Sequence, residues 1–222
     1  MVVYNLLHKN FLIQKKYSIF AMLYGMVVFI FFIPLYSNFA YSMGAFGITY
    51  MLFMTFLSFD AKNKTEIVLN SLPLVRSDIV RAQFLSTLAY TVFSLLLMTL
   101  TGLLIKVSPL SFQVPSIRGL DVVITIISIS ILVSVALPIY HRFPSGSIFQ
   151  IVHFILFLFF FFVPSYIGTF IKGNINESWV QQLLQLNLNS PWFLPLIGII
   201  AAALFLIVSY PLSVKYYTAK EL

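Results

Sequence analysis

No cysteine occurs in the 222 residues, which excludes disulfides, thiolate nucleophiles and thiolate metal sites and leaves no mark of redox compartment. Charge is scarce too. Asp, Glu, Lys and Arg make up 9% of the chain, where an ordinary soluble domain carries about 25%. Acids are the rarest, six against thirteen lysines and arginines. The three histidines, His8, His141 and His153, are too scattered to suggest a metal cluster. There is no Gly-x-x-x-x-Gly-Lys-[Ser/Thr] loop to cradle nucleotide phosphates, so energy for any transport has to come from another chain or a gradient. No Gly-x-Ser-x-Gly elbow, His-Glu-x-x-His helix or paired-glutamate motif is present, which argues against an intramembrane protease. No Gly/Ser-rich linker or low-complexity tract divides the chain, which reads as a single transmembrane domain over residues 1–222.

What fills the space is hydrocarbon: 60% of residues are hydrophobic, gathered into long uncharged runs. At this size no soluble fold hides so much apolar surface, so the bilayer must be the solvent. Residues 17–59 hold no charge across 43 positions, and one crossing needs about 20. That run therefore crosses twice, turning at the polar dip Tyr36-Ser-Asn-Phe-Ala-Tyr41. The remaining runs complete an all-α integral membrane protein of six transmembrane helices, at about 17–35, 41–59, 82–105, 122–140, 146–171 and 191–210. Ten lysines and arginines fall on the side of the N-terminus, the second–third and fourth–fifth loops and the tail; three, Lys106, Arg118 and Lys172, fall on the other. The positive-inside rule places both ends in the cytosol, giving an N-in/C-in, multi-pass protein of the cell (cytoplasmic) membrane. The net charge of +7 then reads as loop bias rather than nucleic-acid binding.

Residues 1–16 mix Val3, Leu6, Leu7, Phe11 and Ile13 with Asn5, His8, Lys9, Asn10, Lys15 and Lys16. An amphipathic helix lying in the headgroups fits, and so does a basic leader that only sets orientation. A cleaved signal peptide fits poorly, because the following span is too long and lacks a small-x-small site. Ala40, Gly44 and Gly47 either let helices approach closely or are ordinary small residues near a turn. Ser86, Thr87, Thr91, Ser94, Thr99 and Thr101 put a mildly polar face on the third span. That face either lines a pathway or bonds to its own backbone and neighbouring helices. His153 reads as interfacial or hydrogen-bonded. All six acids lie in loops, at span ends or in the tail, which disfavours an ion-coupled carrier. Pro138 with His141-Arg142 is expected to end the fourth span, Pro211 to follow the sixth, and Pro164 and Gly168 to break or kink the fifth. Residues 172–190 are expected to form short extracellular amphipathic helices.

Seven of the nineteen charged residues sit in residues 60–81: Asp60, Lys62, Lys64, Glu66, Arg76, Asp78 and Arg81. The stretch reads as a short helix from near Thr65, capped by Thr65 or Asn63 with Glu66 in its first turn. Pro73 should force Leu72 out of helical geometry and bend the chain. A second helix should start at Ser77-Asp78. Ile67, Val68, Leu72, Val75, Ile79 and Val80 keep apolar surface on both pieces, so the elbow has one greasy and one charged face.

The pattern Asp60-x-Lys62-Asn63-x-x-Glu66-Ile-x-Leu69-Asn70-Ser71-Leu72-Pro73, followed by Arg76 and Ile79-Val80, resembles the loop after the second span in ABC-2 type permeases of bacterial ABC exporters. The similar members are small, six-span permeases that export antimicrobial or cytolytic peptides or confer resistance to them; the staphylococcal phenol-soluble-modulin exporters are one such group. The resemblance implies an ABC-2 (type V exporter-like) permease half that works beside a second permease copy or paralogue. Two copies of an ABC ATPase subunit would dock from the cytosol, carrying the ATP and Mg; this chain would hold no cofactor and would not be an enzyme. Amphipathic peptide is the implied cargo. The elbow 60–81 becomes the ATPase-coupling element, with Asp60, Lys62, Lys64, Glu66, Arg76 and Arg81 as polar contacts. Leu69, Leu72, Pro73 and Leu74 become its packed pivot, and Asn63, Asn70 and Ser71 complete the motif. The rival reading is a non-transporting membrane immunity or assembly protein that binds a peptide or enzyme in the bilayer.

Overall fold

The computed structural model describes residues 2–36, 39–107, 114–143, 147–190 and 192–219. Among these the secondary structure is entirely helical. In chain order the helices are α1 (Val2–Gln14), α2 (Ser18–Tyr36), α3 (Ala40–Lys62), α4 (Thr65–Ser71), α5 (Arg76–Val107), α6 (Gly119–Arg142), α7 (Ser147–Gly173), α8 (Ser178–Asn189) and α9 (Phe193–Thr218). A single 3-10 turn, Lys15–Tyr17, joins α1 to α2. Five stretches among the described residues are long and apolar enough to cross a bilayer: Val3–Phe31, Ala40–Lys62, Arg76–Val107, Gly119–Arg142 and Phe193–Thr218. α7 is 27 residues long, and its described apolar part is Ile148–Phe160. The chain is a multi-pass membrane protein. In α9, Ile200, Leu204, Ile207 and Val208 are all more than half exposed, a surface that only lipid or another apolar chain can cover.

α3 is the central helix, buried at every position from Ala40 to Thr49. Phe46, Leu52, Phe53, Phe56 and Leu57 of α3 pack with Val28 and Phe29 of α2, Tyr90 and Met98 of α5, and Leu132 and Leu137 of α6. The small residues of α3 do make close approaches: a Cβ at Gly44 would run into Met98, and one at Gly47 into the Tyr24 ring. α9 lies along α6, and α1 lies on α5.

Several helices outrun their expected bounds. α5 starts at Arg76, before the expected span at 82, and has 32 residues, about 48 Å against a hydrocarbon core of about 30 Å. Pro138 does not end α6, which continues to Arg142, and Pro211 lies inside α9, which runs on to Thr218. α7 likewise runs through positions 164 and 168 to Gly173. Proline removes a donor and clashes with the preceding turn, but in membrane helices neighbouring groups re-satisfy the freed carbonyl, so a proline there is a weaker stop than in water. Residues 178–189 form one helix rather than several pieces. The expected turn at 36–41 is bounded by α2 and α3, with residues 37–38 outside the described residues. α6 opens with a capping box in which the Asp121 carboxylate accepts from Arg118 N at 3.0 Å and Arg118 Nη2 at 3.1 Å.

The polar face of α5 is internal. Ser86, Thr87, Thr91, Ser94 and Thr101 are buried, and their hydroxyls donate to carbonyls three or four residues back. Ser94 also bonds Thr49 at 2.6 Å, and Ser86 accepts from Asn10 at 2.7 Å. Of the two readings open for this face, these hydrogen bonds are those of bonding within the bundle.

Candidate coupling site

α3 carries its helix past the charge-free run to Lys62, so Asp60 is a helical residue rather than the first residue of a loop. Its carboxylate is turned inward, 4% exposed, with Lys9 Nζ at 3.4 Å. Asn63 closes α3, its amide donating to the Phe59 carbonyl at 2.9 Å. Lys64 makes the corner in left-handed geometry, φ 48 and ψ 40, which costs a non-glycine residue about 1 kcal/mol. Lys64 therefore occupies the N-cap position of α4, with no side-chain cap. The expected side-chain cap by Thr65 or Asn63 does not form, and the Asn63 amide is spent on α3. Glu66 does lie in the first turn of α4.

Leu72 is extended, φ −86 and ψ 152, as the residue before a proline must be. A tight turn around Pro73 follows, with Leu74 N donating to Leu72 O at 2.7 Å. α5 then begins at Arg76, one residue ahead of the expected restart.

The elbow stands on a small core of its own. Leu69 is 8% exposed and packs with Leu6 of α1, Ile79 and Val80 of α5 and Tyr217 of α9, with Leu74 against the same cluster. Asn70 Nδ2 donates to the Tyr217 hydroxyl at 3.3 Å and to the Glu66 carbonyl at 2.8 Å. Arg76 Nη1 donates to the Thr218 carbonyl at 2.8 Å. The last turns of α9, beyond the expected end of the sixth span, thus form the seat of the elbow.

This geometry redistributes the expected roles. Leu69 and Leu74 are packed, as a pivot requires. Leu72 and Pro73 are exposed instead, because the extended backbone at Leu72 swings them off the core. Leu72, Ile67, Val68 and Val75, all apolar and all on the elbow, are exposed by 47%, 55%, 59% and 64% respectively. Lys62, Lys64, Ser71 and Arg81 lie exposed along the same elbow. An apolar centre with charged surroundings is the anatomy of a protein–protein contact. Asp60 and Arg76, expected as contacts, have their polar groups engaged inside the chain.

Two groups of residues escaped the sequence. Lys9, Asn10 and Gln14 of α1 were assigned to a solvated face or to none, yet Asn10 and Gln14 are 2% exposed. Asn10 donates to Ser86, Gln14 donates to the Leu52 carbonyl at 2.8 Å, and the Tyr90 hydroxyl donates to the Asn10 carbonyl at 3.1 Å. α1 is therefore bolted to the bundle beside the elbow. The signal was the i, i+4, i+8 spacing of Leu6, Asn10 and Gln14. The second group lines a groove along α3. Gly47, Tyr50, Met54, Ser58 and Lys62 share one helical face and border two adjoining clefts, of about 690 and 490 Å³, that meet at Met54 and Ser58. Tyr24 of α2 lines the inner cleft; Tyr140 of α6 and Gln150 and His153 of α7 line the outer one. Tyr50 stacks toward Phe157 of α7 with ring centres 4.5 Å apart. His153 is hydrogen-bonded, its Nδ1 to the Phe149 carbonyl at 2.7 Å. Among the described residues no three His, Asp or Glu side chains come together as metal ligands.

A family model described as "ABC-2 family transporter protein" matches residues 5–218. No curated protein and no solved structure matches the chain.

Proposed function

We propose an export function for this chain, which belongs to the ABC-2 transporter family. Proteins of this family are the membrane components of ABC transporters, carry no ATPase of their own and generally work with an ABC ATPase partner. In our reading the chain is a six-span permease half with both ends in the cytosol, α7 supplying the fifth crossing. Two such halves and two ATPase subunits make the working exporter, in the cytoplasmic membrane of a bacterium. The observation that carries the reading is the exposed patch Ile67, Val68, Leu72 and Val75 on an elbow seated against α1, α5 and α9. The ATPase closes on ATP and pushes that patch; the seat passes the push to the spans.

Cargo moves along the groove beside α3, between Lys62 and Gly47. Its lining mixes Met54, Tyr50 and Phe157 with Ser58, Thr55 and Gln150. Such a surface suits an amphipathic peptide, of the cytolytic, modulin-like kind, better than a sugar or an ion. Ser58→Trp should fill the junction of the two clefts. Peptide export from cells is expected to fall about tenfold, the cost of blocking a site worth roughly 1.4 kcal/mol, while co-purification of the ATPase stays at the parent level. Unchanged export in that variant removes the groove from the pathway.

Orientation has its own check. A cysteine placed at Asn174, in the turn after α7, should react with a membrane-impermeant maleimide on intact cells, and one at Asn63 should react only after lysis. The reverse pattern puts the elbow outside and ends its coupling role.

A further inference from the structure

A third cleft, of about 540 Å³, lies between the N-terminal helix and the end of α3. It uses the face of α1 and the 3-10 turn opposite the bolted one, at Asn5, His8, Lys9, Leu12 and Lys16, and it reaches Tyr17 and Phe59. None of these residues belongs to the coupling patch, and only Tyr17 is shared with the α3 groove.

The position of this cleft is fixed by the sequence itself. Tyr17 and Phe59 are the first and last residues of the uncharged run 17–59, and both line the cleft. The cleft therefore sits where the hydrocarbon ends and headgroups begin, the level at which aromatic side chains anchor. Its charges are of one sign. Lys9, Lys16 and His8 border it, and the nearby acid, Asp60, is buried beneath Lys9. Its other wall is apolar and leads outward. Leu12, Ile13 and Phe59 line it, and past the 3-10 turn Ile19, Phe20 and Leu23 of α2 are exposed by 71%, 62% and 53%.

From this juxtaposition of a one-signed polar end and a greasy exit at headgroup depth, we infer that the cleft binds one anionic phospholipid of the adjoining leaflet. The phosphate sits between Lys9 and Lys16, and the acyl chains run down Leu12, Phe20 and Leu23. Lysine binds phosphate as a compact point charge, and each lysine near a membrane surface contributes about 1 kcal/mol toward anionic lipid. The inference rests on the chain spanning the membrane and is independent of the export reading. The occupied cleft would hold α1 against α3 at the root of the elbow.

The test uses the purified full chain in micelles containing equal mole fractions of phosphatidylglycerol and phosphatidylcholine, with retained lipids counted by native mass spectrometry. The parent is expected to retain phosphatidylglycerol over phosphatidylcholine. Lys16→Gln should cut that preference about fivefold, the loss of one lysine's share. Lys15→Gln removes the same charge from the adjacent residue, whose side chain borders a different cleft with Gln14, Leu52 and Tyr90, and should keep the parent's preference. Lys15 and Lys16 are both exposed, so neither change threatens the fold. Equal losses in the two variants would mean diffuse surface charge and overturn the inference, as would a parent with no preference. Displacement of the retained lipid by millimolar inorganic phosphate would make a soluble anion the ligand and overturn it as well.

Discussion

Leu72→Asp is expected to abolish capture of the ATPase subunit while leaving the permease folded and inserted. Leu72 is 47% exposed among the elbow's apolar residues, so the chain itself loses little when it is changed. In the complex, the new carboxylate would be buried without a partner. Central contacts of this kind cost 2 kcal/mol or more, which is at least about a thirtyfold loss of affinity. Co-purification of the ATPase from detergent-solubilised membranes reads the effect directly. Leu69→Asp is the contrasting variant: Leu69 is buried against Tyr217 and Ile79, so that change should damage the elbow's seat and lower protein yield. Charge reversals at the rim, such as Lys64→Glu, act mainly on association rate and salt dependence and should be milder. Lys106→Glu, beyond the far end of the third span, should leave docking alone. If Leu72→Asp carries the ATPase through purification like the parent, the patch is not the docking surface.

The second large effect is expected at the other end of the same machinery. Lys9→Met strips the cation from the buried Asp60 carboxylate. Removing one partner of a fully buried pair costs about 3–5 kcal/mol, and since Lys9 is one-third exposed the cost here should be about 2 kcal/mol. Asp60→Leu alone breaks the same pair from the other side, leaving Lys9 without its carboxylate. The double variant Lys9→Met with Asp60→Leu should recover at least about 1 kcal/mol relative to the sum of the singles. Thermal unfolding followed by loss of monodisperse protein measures all three. Strict additivity would mean that Lys9 and Asp60 do not work as a pair, and α1 would then not be tied to the elbow through them.

The multi-pass, helical character was legible because charge is so scarce: a gap of 43 residues between Lys16 and Asp60 has few other physical meanings in a helical chain. The bend at Leu72-Pro73 was legible because proline constrains its predecessor whatever surrounds it. The ends of the helices were not. Pro138 and Pro211 read as stops by rules that hold in water, and α6 and α9 run through both. Asp60 was read as a surface contact because a carboxylate at the edge of a greasy run looks like the start of a loop; the cation that draws it inward lies 51 residues away, beyond any local pattern. The same distance problem hid Asn10 and Gln14. Periodicity assigns residues to faces, but only the packed partner decides which polar face is buried. The sequence does not say which side of the bend packs: Leu69 and Leu74 find Leu6 and Tyr217, residues far off in the chain, and Leu72 does not.

The bolts that fix the N-terminal helix also set an order of assembly. Asn10 finds its hydroxyl partner 76 residues later at Ser86, and its carbonyl waits for a tyrosine 80 residues on. A nascent chain that has delivered only its first two crossings to the membrane has nothing to offer those groups. Until α5 arrives, the first helix has only its α3 partners, Leu52 and Asp60, and the Asn10 amide stays wet. Docking of that helix is then a late step of biogenesis, and a chain cut short before α5 leaves its N-terminus open to proteases that the finished protein excludes.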